Sequence, residues 1–182
     1  MPAAQTGTAR APAGARDTTP VTELIRPALP ADVAAIAAMA SARRTQYARY
    51  QPVFWAPAPG AEELHKPYLA KLVSDDNVIT LVAEESGTVT GFVIAMITGA
   101  PAVYDPGGQT CQIDDFVVAP GRWDSTGTQL LKAALARAAE RGAVQAVVVT
   151  AHLDLDKREA LRACGLSIAS EWWVTSALAS DG

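Results

Sequence analysis

Apolar residues recur at Leu130, Leu131, Ala134, Leu135 and Ala138, a spacing that paints one face of a helix. Just upstream, residues 112–118 read as a strand ending in Phe116, Val117 and Val118. The loop between them, 119–125, carries Arg122 and ends in small polar residues before Gly127 opens the helix. Segments 78–85 and 88–96, with Ser86-Gly87 between them, have the form of a β-hairpin. Residues 144–151 are a short β-branched run after Gly142, the pattern of a fifth, buried strand. A helix is expected over about 61–74, with Leu64, Tyr68, Leu69 and Leu72 on one face; Pro67 interrupts it and should kink the helix or start it afresh. Residues 154–164 predict a short helix closed by Gly165, and 172–178 a last strand.

The strand–loop–helix unit around Arg122 carries the most specific chemistry. A helix N-terminus presents unpaired N–H groups and a partial positive charge, and small residues in front of it let a phosphate approach closely. The unit therefore suits a phosphorylated cofactor, either a nucleotide or coenzyme A. The Walker pattern fails, because no Gly-Lys-Ser/Thr follows the loop and Lys132 lies a turn inside the helix; G-x-G-x-x-G fails because Gly127 is the only glycine at the helix start and the pattern's other glycines are missing. Two carboxylates, Asp114 and Asp115, stand inside the strand. Adjacent strand residues point to opposite faces, so one acid is expected toward the face where ligands meet and the other toward the helix-covered face. Buried acids are costly without partners, so the pair calls for a functional role or for neutralisation by nearby Arg or N–H groups.

Arg122-Trp123-Asp124-Ser125-Thr126-Gly127 resembles the Arg/Gln-x-x-Gly-x-Gly/Ala motif of the GNAT superfamily of acyl-CoA-dependent N-acyltransferases. Ser125 stands for the first glycine, and the loop from Pro120 to Arg122 is one residue shorter than usual. Thr128-Gln129-Leu130-Leu131 matches the family's helix start. Residues 24–28 with Pro30-Ala31-Asp32 resemble its first strand and first helix, and Gly91 falls where its third strand commonly has glycine. The stretch 151–165 aligns without gaps to the family's Asn-x₆-Tyr-x₃-Gly segment. Ile113-Asp114-Asp115-Phe116-Val117-Val118 and the ending Ser170-Glu171-Trp172 are similar to the diamine acetyltransferase branch. The element order β-α-α-β-β-β-α-β-α-β is the family's. The resemblance implies an α/β fold, a mixed central sheet of about six or seven strands flanked by helices and splayed between strands four and five. It also implies acetyl-CoA as cofactor and a primary amine of a small molecule (polyamine, diamine or amino-acid-like) as acceptor, with direct transfer in a ternary complex.

By that resemblance, the backbone of Arg122, Trp123, Asp124, Ser125, Thr126, Gly127 and Thr128 cradles the pyrophosphate. If position 125 requires positive φ, its Cβ is strained there. Phe116, Val117 and Val118 supply backbone contacts to the thioester and its peptide-like arm. Asp114, and after it Asp115, anchors the amine or removes its proton. Tyr47, Tyr50, Phe54 and Trp55 either shape the acceptor pocket or pack as satellite core. The family's usual acid, a tyrosine, falls on Leu161, and Asp154 replaces its Asn. Either the thiolate leaves unassisted, or Tyr104, Tyr47, Tyr50 or His152 donates instead, or the protein binds acyl-CoA without turnover, as an inert regulatory binder.

Composition narrows the rest. The chain has 182 residues, 49% hydrophobic and 19% charged, with net charge −4. There is no basic run, hence no footprint for nucleic acid, and no apolar run approaches the roughly 20 residues of a membrane span. Cys111 and Cys164 form no disulfide or metal framework, and with only His65 and His152 a multi-histidine metal site is excluded. A cytoplasmic location is expected. Residues 1–21, rich in Ala, Pro, Gly and Thr, are expected to form a disordered tail ahead of one domain at 22–182. Trp172 and Trp173 are candidates for a homodimer interface or for core.

Overall fold

The computed structural model describes residues 23–176; the tail expected at 1–21 lies outside them. The chain runs β1 (Leu24–Pro27), a 3-10 turn at Pro30–Asp32, α1 (Val33–Tyr50), α2 (Ala61–Val73), β2 (Val78–Glu85), β3 (Thr88–Thr98), β4 (Gln109–Val118), a single π turn at Trp123–Gly127, α3 (Thr128–Glu140), β5 (Ala143–Val148) and α4 (Leu155–Ala163). The strands form one mixed sheet in the order β1-β2-β3-β4-β5. The first four are antiparallel neighbours, and β5 joins β4 in parallel. Parallel pairing requires a crossover, and α3 supplies it.

Each sheet face is covered. On one, Leu81, Val93, Ile113, Phe116 and Val118 pack against Leu130, Leu131, Ala134 and Ala138 of α3 and Ala160 and Leu161 of α4. On the other, Val82, Phe92, Ile94 and Val117 pack against Ile36, Ala37 and Ala40 of α1 and Leu69 and Leu72 of α2. The alternation of β2 (Leu81 one way, Val82 the other) is the period-2 pattern that makes such a two-faced sheet. The β2–β3 hairpin closes through Ser86 (φ 51°) and Gly87 (φ 79°), the two positive-φ positions of a type I′ turn. No helix among the described residues is long and apolar enough to cross a membrane.

The α/β expectation holds, with differences. The described residues form five strands, not six or seven. The strand expected at 172–178 is absent over 172–176, where Trp172 and Trp173 are 81% and 90% exposed; Ala177 and Leu178 lie outside the described residues. This leaves β5 as an edge strand with Val144 and Val147 exposed, not the buried strand its β-branched run predicts, because burial requires a neighbour on both sides. Helix α2 continues through Pro67. The proline removes one hydrogen bond to the carbonyl of Glu63, which lies in the exposed first turn and is open to solvent. Of the face expected on α2, Leu69 and Leu72 are buried while Leu64 and Tyr68 are exposed.

Gly91 sets how closely α3 approaches the sheet. A Cβ there would lie 2.8 Å from Leu130 Cδ1, 2.9 Å from Val118 Cγ1 and 3.1 Å from Thr126 Cγ2, and Leu130 is fully buried. Gly91→Ala should therefore destabilise the fold by about 1–3 kcal/mol through overpacking, read as a lowered midpoint in urea unfolding.

Candidate active site

The pairing of β5 with β4 stops early. Ile113 is aligned with Val148, and the Val149 N–H donates to the Ile113 carbonyl at 3.0 Å. Beyond that point only Phe116, Val117 and Val118 of β4 are paired, and only with β3, which leaves β4 an open edge toward α4.

The same stretch holds an irregularity. Ala95 is opposite Ile113 but Val93 is opposite Phe116, so β4 has one extra residue where β3 has only Ile94 between them, a β-bulge. Ile113 and Phe116 consequently share the α3/α4 core, and the Asp114-Asp115 pair fits between them. Neither acid enters the α3/α4 core, which corrects the expectation that the pair would point to opposite faces. Asp114 is exposed, accepting a hydrogen bond from Gln112 Nε2 at 3.2 Å. Asp115 is half-buried, its Oδ2 lying 3.4 Å from His65 Nε2 on α2. Arg44 of α1 donates to His65 Nδ1 at 3.0 Å. A guanidinium can only donate, so Nδ1 accepts, and the proton of the neutral ring resides on Nε2, facing Asp115. Arg44, His65 and Tyr68 line an open groove beside this array.

The gap between the splayed strands is bridged by Lys157. Its Nζ donates to the Phe116 carbonyl at 3.1 Å and to the Val149 carbonyl at 2.9 Å, and it lies over the Phe116 and Trp123 rings at 5.3 and 5.5 Å. Beside it, Asp154 accepts from Arg43 Nη1 at 2.6 Å and from the Tyr47 hydroxyl at 2.8 Å. These two bonds tie α1 to the start of α4. Burial, reinforced by the nearby Arg43 charge, pushes Lys157 down to about 7, against the opposing pull of Asp154, Asp115 and Asp114. Burial and the Asp154 charge push the Tyr47 phenol above its ordinary range.

At the start of α3, the left-handed residue of the loop is Gly121 (φ 73°), and Ser125 has no positive φ. The feared strain at Ser125 is therefore absent. Gly127 N–H is the first to bond back, to the Arg122 carbonyl at 2.9 Å, so the N–H groups of Trp123, Asp124, Ser125 and Thr126 precede the first closed turn. The Trp123 side chain is buried edge-on against Phe116, with centroids 4.9 Å apart. A Cβ on Gly127 would meet that indole at 2.7 Å. Thr126 is buried and donates to Glu23 at 2.6 Å. Arg122 is held by Glu85 at 2.6 Å and Glu23 at 3.4 Å. The Thr128 hydroxyl donates to the Asp124 and Ser125 carbonyls.

The remaining sequence candidates divide. Tyr47, Phe54 and Trp55 form an aromatic group, Trp55 lying 5.0 Å from Tyr47 and 4.8 Å from Phe54, with Tyr50 5.9 Å from Tyr47 and Trp172 5.8 Å from Phe54. His152 is exposed in the turn before α4, its carbonyl accepting from Arg158, and does not occupy the gap. Tyr104 is 72% exposed in the loop before β4. Seven residues of strand separate Gln109 from Phe116, about 20 Å, so Tyr104 stands at the wrong end of β4 to act with the acids. Among the described residues no group of three or more His, Cys, Asp or Glu could hold a metal ion.

Sequence reasoning passed over His65, Arg44 and Lys157. Lys157 left a signal, for it lies three and four residues before Ala160 and Leu161, which puts a cation on the apolar face of α4. His65 and Arg44 left none, since their meeting depends on how α1 and α2 pack.

Comparison with known proteins agrees with this geometry. The family model described as Acetyltransferase (GNAT) family matches residues 37–165. No curated protein matches the chain. Among solved structures, the chain is similar to a predicted acetyltransferase with acetyl-CoA from Clostridium acetobutylicum, with TM-score 0.67, 16% identity, and 85% of this chain and 96% of that one covered. It is also similar to an aminoglycoside N-acetyltransferase in complex with CoA, with TM-score 0.62, 14% identity, and 86% and 95% covered. A third is the ribosomal-protein-alanine N-acetyltransferase of Brucella melitensis, with TM-score 0.59, 18% identity, and 85% and 99% covered. At these identities the likeness is one of fold.

Two expectations follow from the buried charges. Asp154→Asn leaves Arg43 without its carboxylate and should cost about 3–5 kcal/mol in chemical unfolding. The folded pKa of Lys157 lies below its unfolded value, so between about pH 7 and the ordinary lysine range the unfolded chain binds more protons and stability rises with pH. Urea unfolding at about pH 7, 8 and 9 should show a rise of ~1 kcal/mol per pH unit from this group, absent in Lys157→Met.

Proposed function

The chain belongs to the GNAT acetyltransferase family, and on that premise we propose that it moves an acetyl group from acetyl-CoA to the primary amine of a small molecule by direct transfer in a ternary complex. The observation that carries this reading is the open edge of β4 with an acidic bulge at its start. Two other features fit the cofactor. The Ala119 N–H turns to β3, bonding Thr90 O at 2.8 Å, so by strand alternation the Val118 N–H faces the open side, as does the Phe116 carbonyl that Lys157 holds. Residues 116–118 thus offer one acceptor and one donor to a peptide-like arm, as an added strand would require. The π turn at Trp123–Gly127 offers free N–H groups at a helix start, suited to a pyrophosphate. Arg122 shares its charge with Glu85 and Glu23, which leaves most of the anion recognition to the backbone.

When bound, acetyl-CoA supplies the activated acyl carbon. The Val118 N–H polarises the thioester oxygen. Asp115, supported by His65 and Arg44, anchors the acceptor and takes its proton, since an ammonium has no lone pair to attack with. Asp114, exposed and paired only with Gln112, serves as a secondary attraction for a cationic acceptor. The Arg44 guanidinium, on the far side of the His65 ring from Asp115, favours an amino-acid-like acceptor, with an anionic group a few ångströms from its amine, over a polyamine or diamine. Transfer then proceeds beside Asp115 at the groove that Arg44, Leu64, His65 and Tyr68 line. A second reading, an acyl-CoA binder without turnover, is favoured by one observation: Leu161, at the family's tyrosine position, is buried in the core and cannot donate a proton.

Thiol release from acetyl-CoA against a panel of amino acids, polyamines, aminoglycosides and short peptides separates the two. The expected result is release dependent on one amine class. Asp115→Asn should lower kcat/KM by about 10²-fold with acetyl-CoA affinity unchanged, and Asp114→Asn should lower it by less. Acetyl-CoA binding with no release from any amine would favour the inert binder.

A further inference from the structure

The proposed reaction needs a proton for the sulfur that leaves, and the position at which the resembling family carries its tyrosine is leucine here. We propose that Lys157 donates that proton, as a catalytic residue in the gap between β4 and β5; the assignment rests on the acetyl-transfer reading above.

Three observations support it. First, the Nζ of Lys157 stands in the gap itself, bonded to Phe116 O on the open edge of β4 and to Val149 O where β5 leaves it. An ammonium has three N–H donors and these carbonyls take two, leaving one for a ligand along the same edge. Second, Lys157 lies one turn before Leu161 on the same buried face of α4, so the two positions are neighbours on that helix. Third, the lysine is buried and, among the described residues, makes no ion pair within 4.0 Å. A buried cation without a partner is costly. The two carbonyls it bonds need a donor but not a charge, so an ionisable amine at this position asks for a use.

The charged groups facing it are Arg43 from α1, Asp154 at the start of α4, and Asp114 and Asp115 on β4. Burial and Arg43 outweigh the three acids and bring the lysine to about 7, where an acid both holds its proton and gives it up readily. Three of the four other candidates are set aside by an existing bond or by position. The Tyr47 hydroxyl is committed to Asp154, His152 is exposed outside the gap, and Tyr104 is at the far end of β4.

In the step, the acceptor nitrogen forms its bond to the acetyl carbon and the carbon–sulfur bond breaks with its electron pair going to sulfur. The Nζ proton passes to that sulfur, giving the free thiol and a neutral lysine. The proton that the acceptor gives up through Asp115 to solvent balances the one that restores the Lys157 ammonium.

The test reads the sulfur directly. CoA is bound to the purified protein and its thiol titrated by the ultraviolet absorbance of the thiolate. A cation at Nζ should lower the bound thiol's pKa by about 1–3 relative to Lys157→Met, and Lys157→Met should lose about 10²-fold in kcat while binding acetyl-CoA as tightly. Lys157→Arg, which keeps a charge that does not deprotonate, should retain the lowered thiol pKa yet lose turnover; it also guards against misfolding of the Met variant. CoA bound with the same thiol titration in wild type and both variants overturns the assignment to Lys157 alone. Failure of the wild type to bind CoA overturns both this assignment and the acetyl-transfer reading.

Discussion

Between Val93 and Ala95 β3 advances two residues while β4 advances three, and the extra residue decides how the sheet is used. Without it, strand alternation would send one of Asp114 and Asp115 into the α3/α4 core, at the cost of a buried carboxylate. With it, Ile113 and Phe116 both reach that core and the two acids come out together at the rim. The same added residue reverses which backbone groups of β4 face its partner strands, so the Phe116 carbonyl meets Lys157 rather than β3. The departure of β5 at Val149 then exposes this stretch. A bulge and an early end of pairing thus turn an ordinary sheet edge into a site with an acceptor, a donor and two carboxylates within a few residues.

What closes the gap without filling it with apolar side chains is a set of buried charges. Arg43 and Tyr47 reach from α1 to Asp154, and Lys157 holds one carbonyl on each strand. Apolar packing would hold α1 and α4 together at least as well, but it would leave no exchangeable proton and no charge beside the open edge. The arrangement holds the two helices at a fixed spacing across the end of the sheet while keeping polar groups where a reaction would take place. It also explains why Tyr47, counted in the sequence among residues for an acceptor pocket, is buried here as a tie between helices.

The elements of the fold were legible wherever one local cause dominated. The hairpin at Ser86-Gly87 follows from turn chemistry, α3 from the spacing of Leu130, Leu131, Ala134 and Ala138, and the end of α4 from Gly165, whose φ is 85°. The reading failed where the cause was a neighbour. Val144 and Val147 have the composition of a buried strand, but among the described residues only β4 lies beside them. Residues 172–176 are apolar enough for a strand yet pair with nothing among the described residues. The acids of the site were visible as residues out of place in an apolar run, but which way they point was not, because a bulge has no signature in the sequence of the strand that carries it.

By itself, then, the sequence determined the α/β class, the order of elements, the loop of small residues that opens α3 and the presence of two acids on the strand before it, because each depends on periodicity, turn residues or composition within a short window. Only the tertiary structure decided that Asp115 meets His65 and Arg44, that Arg43 and Tyr47 close on Asp154 across more than a hundred residues of chain, and that Lys157 enters the gap between β4 and β5. Those meetings are set by strand register and helix packing, which are properties of the whole sheet and of no segment of it.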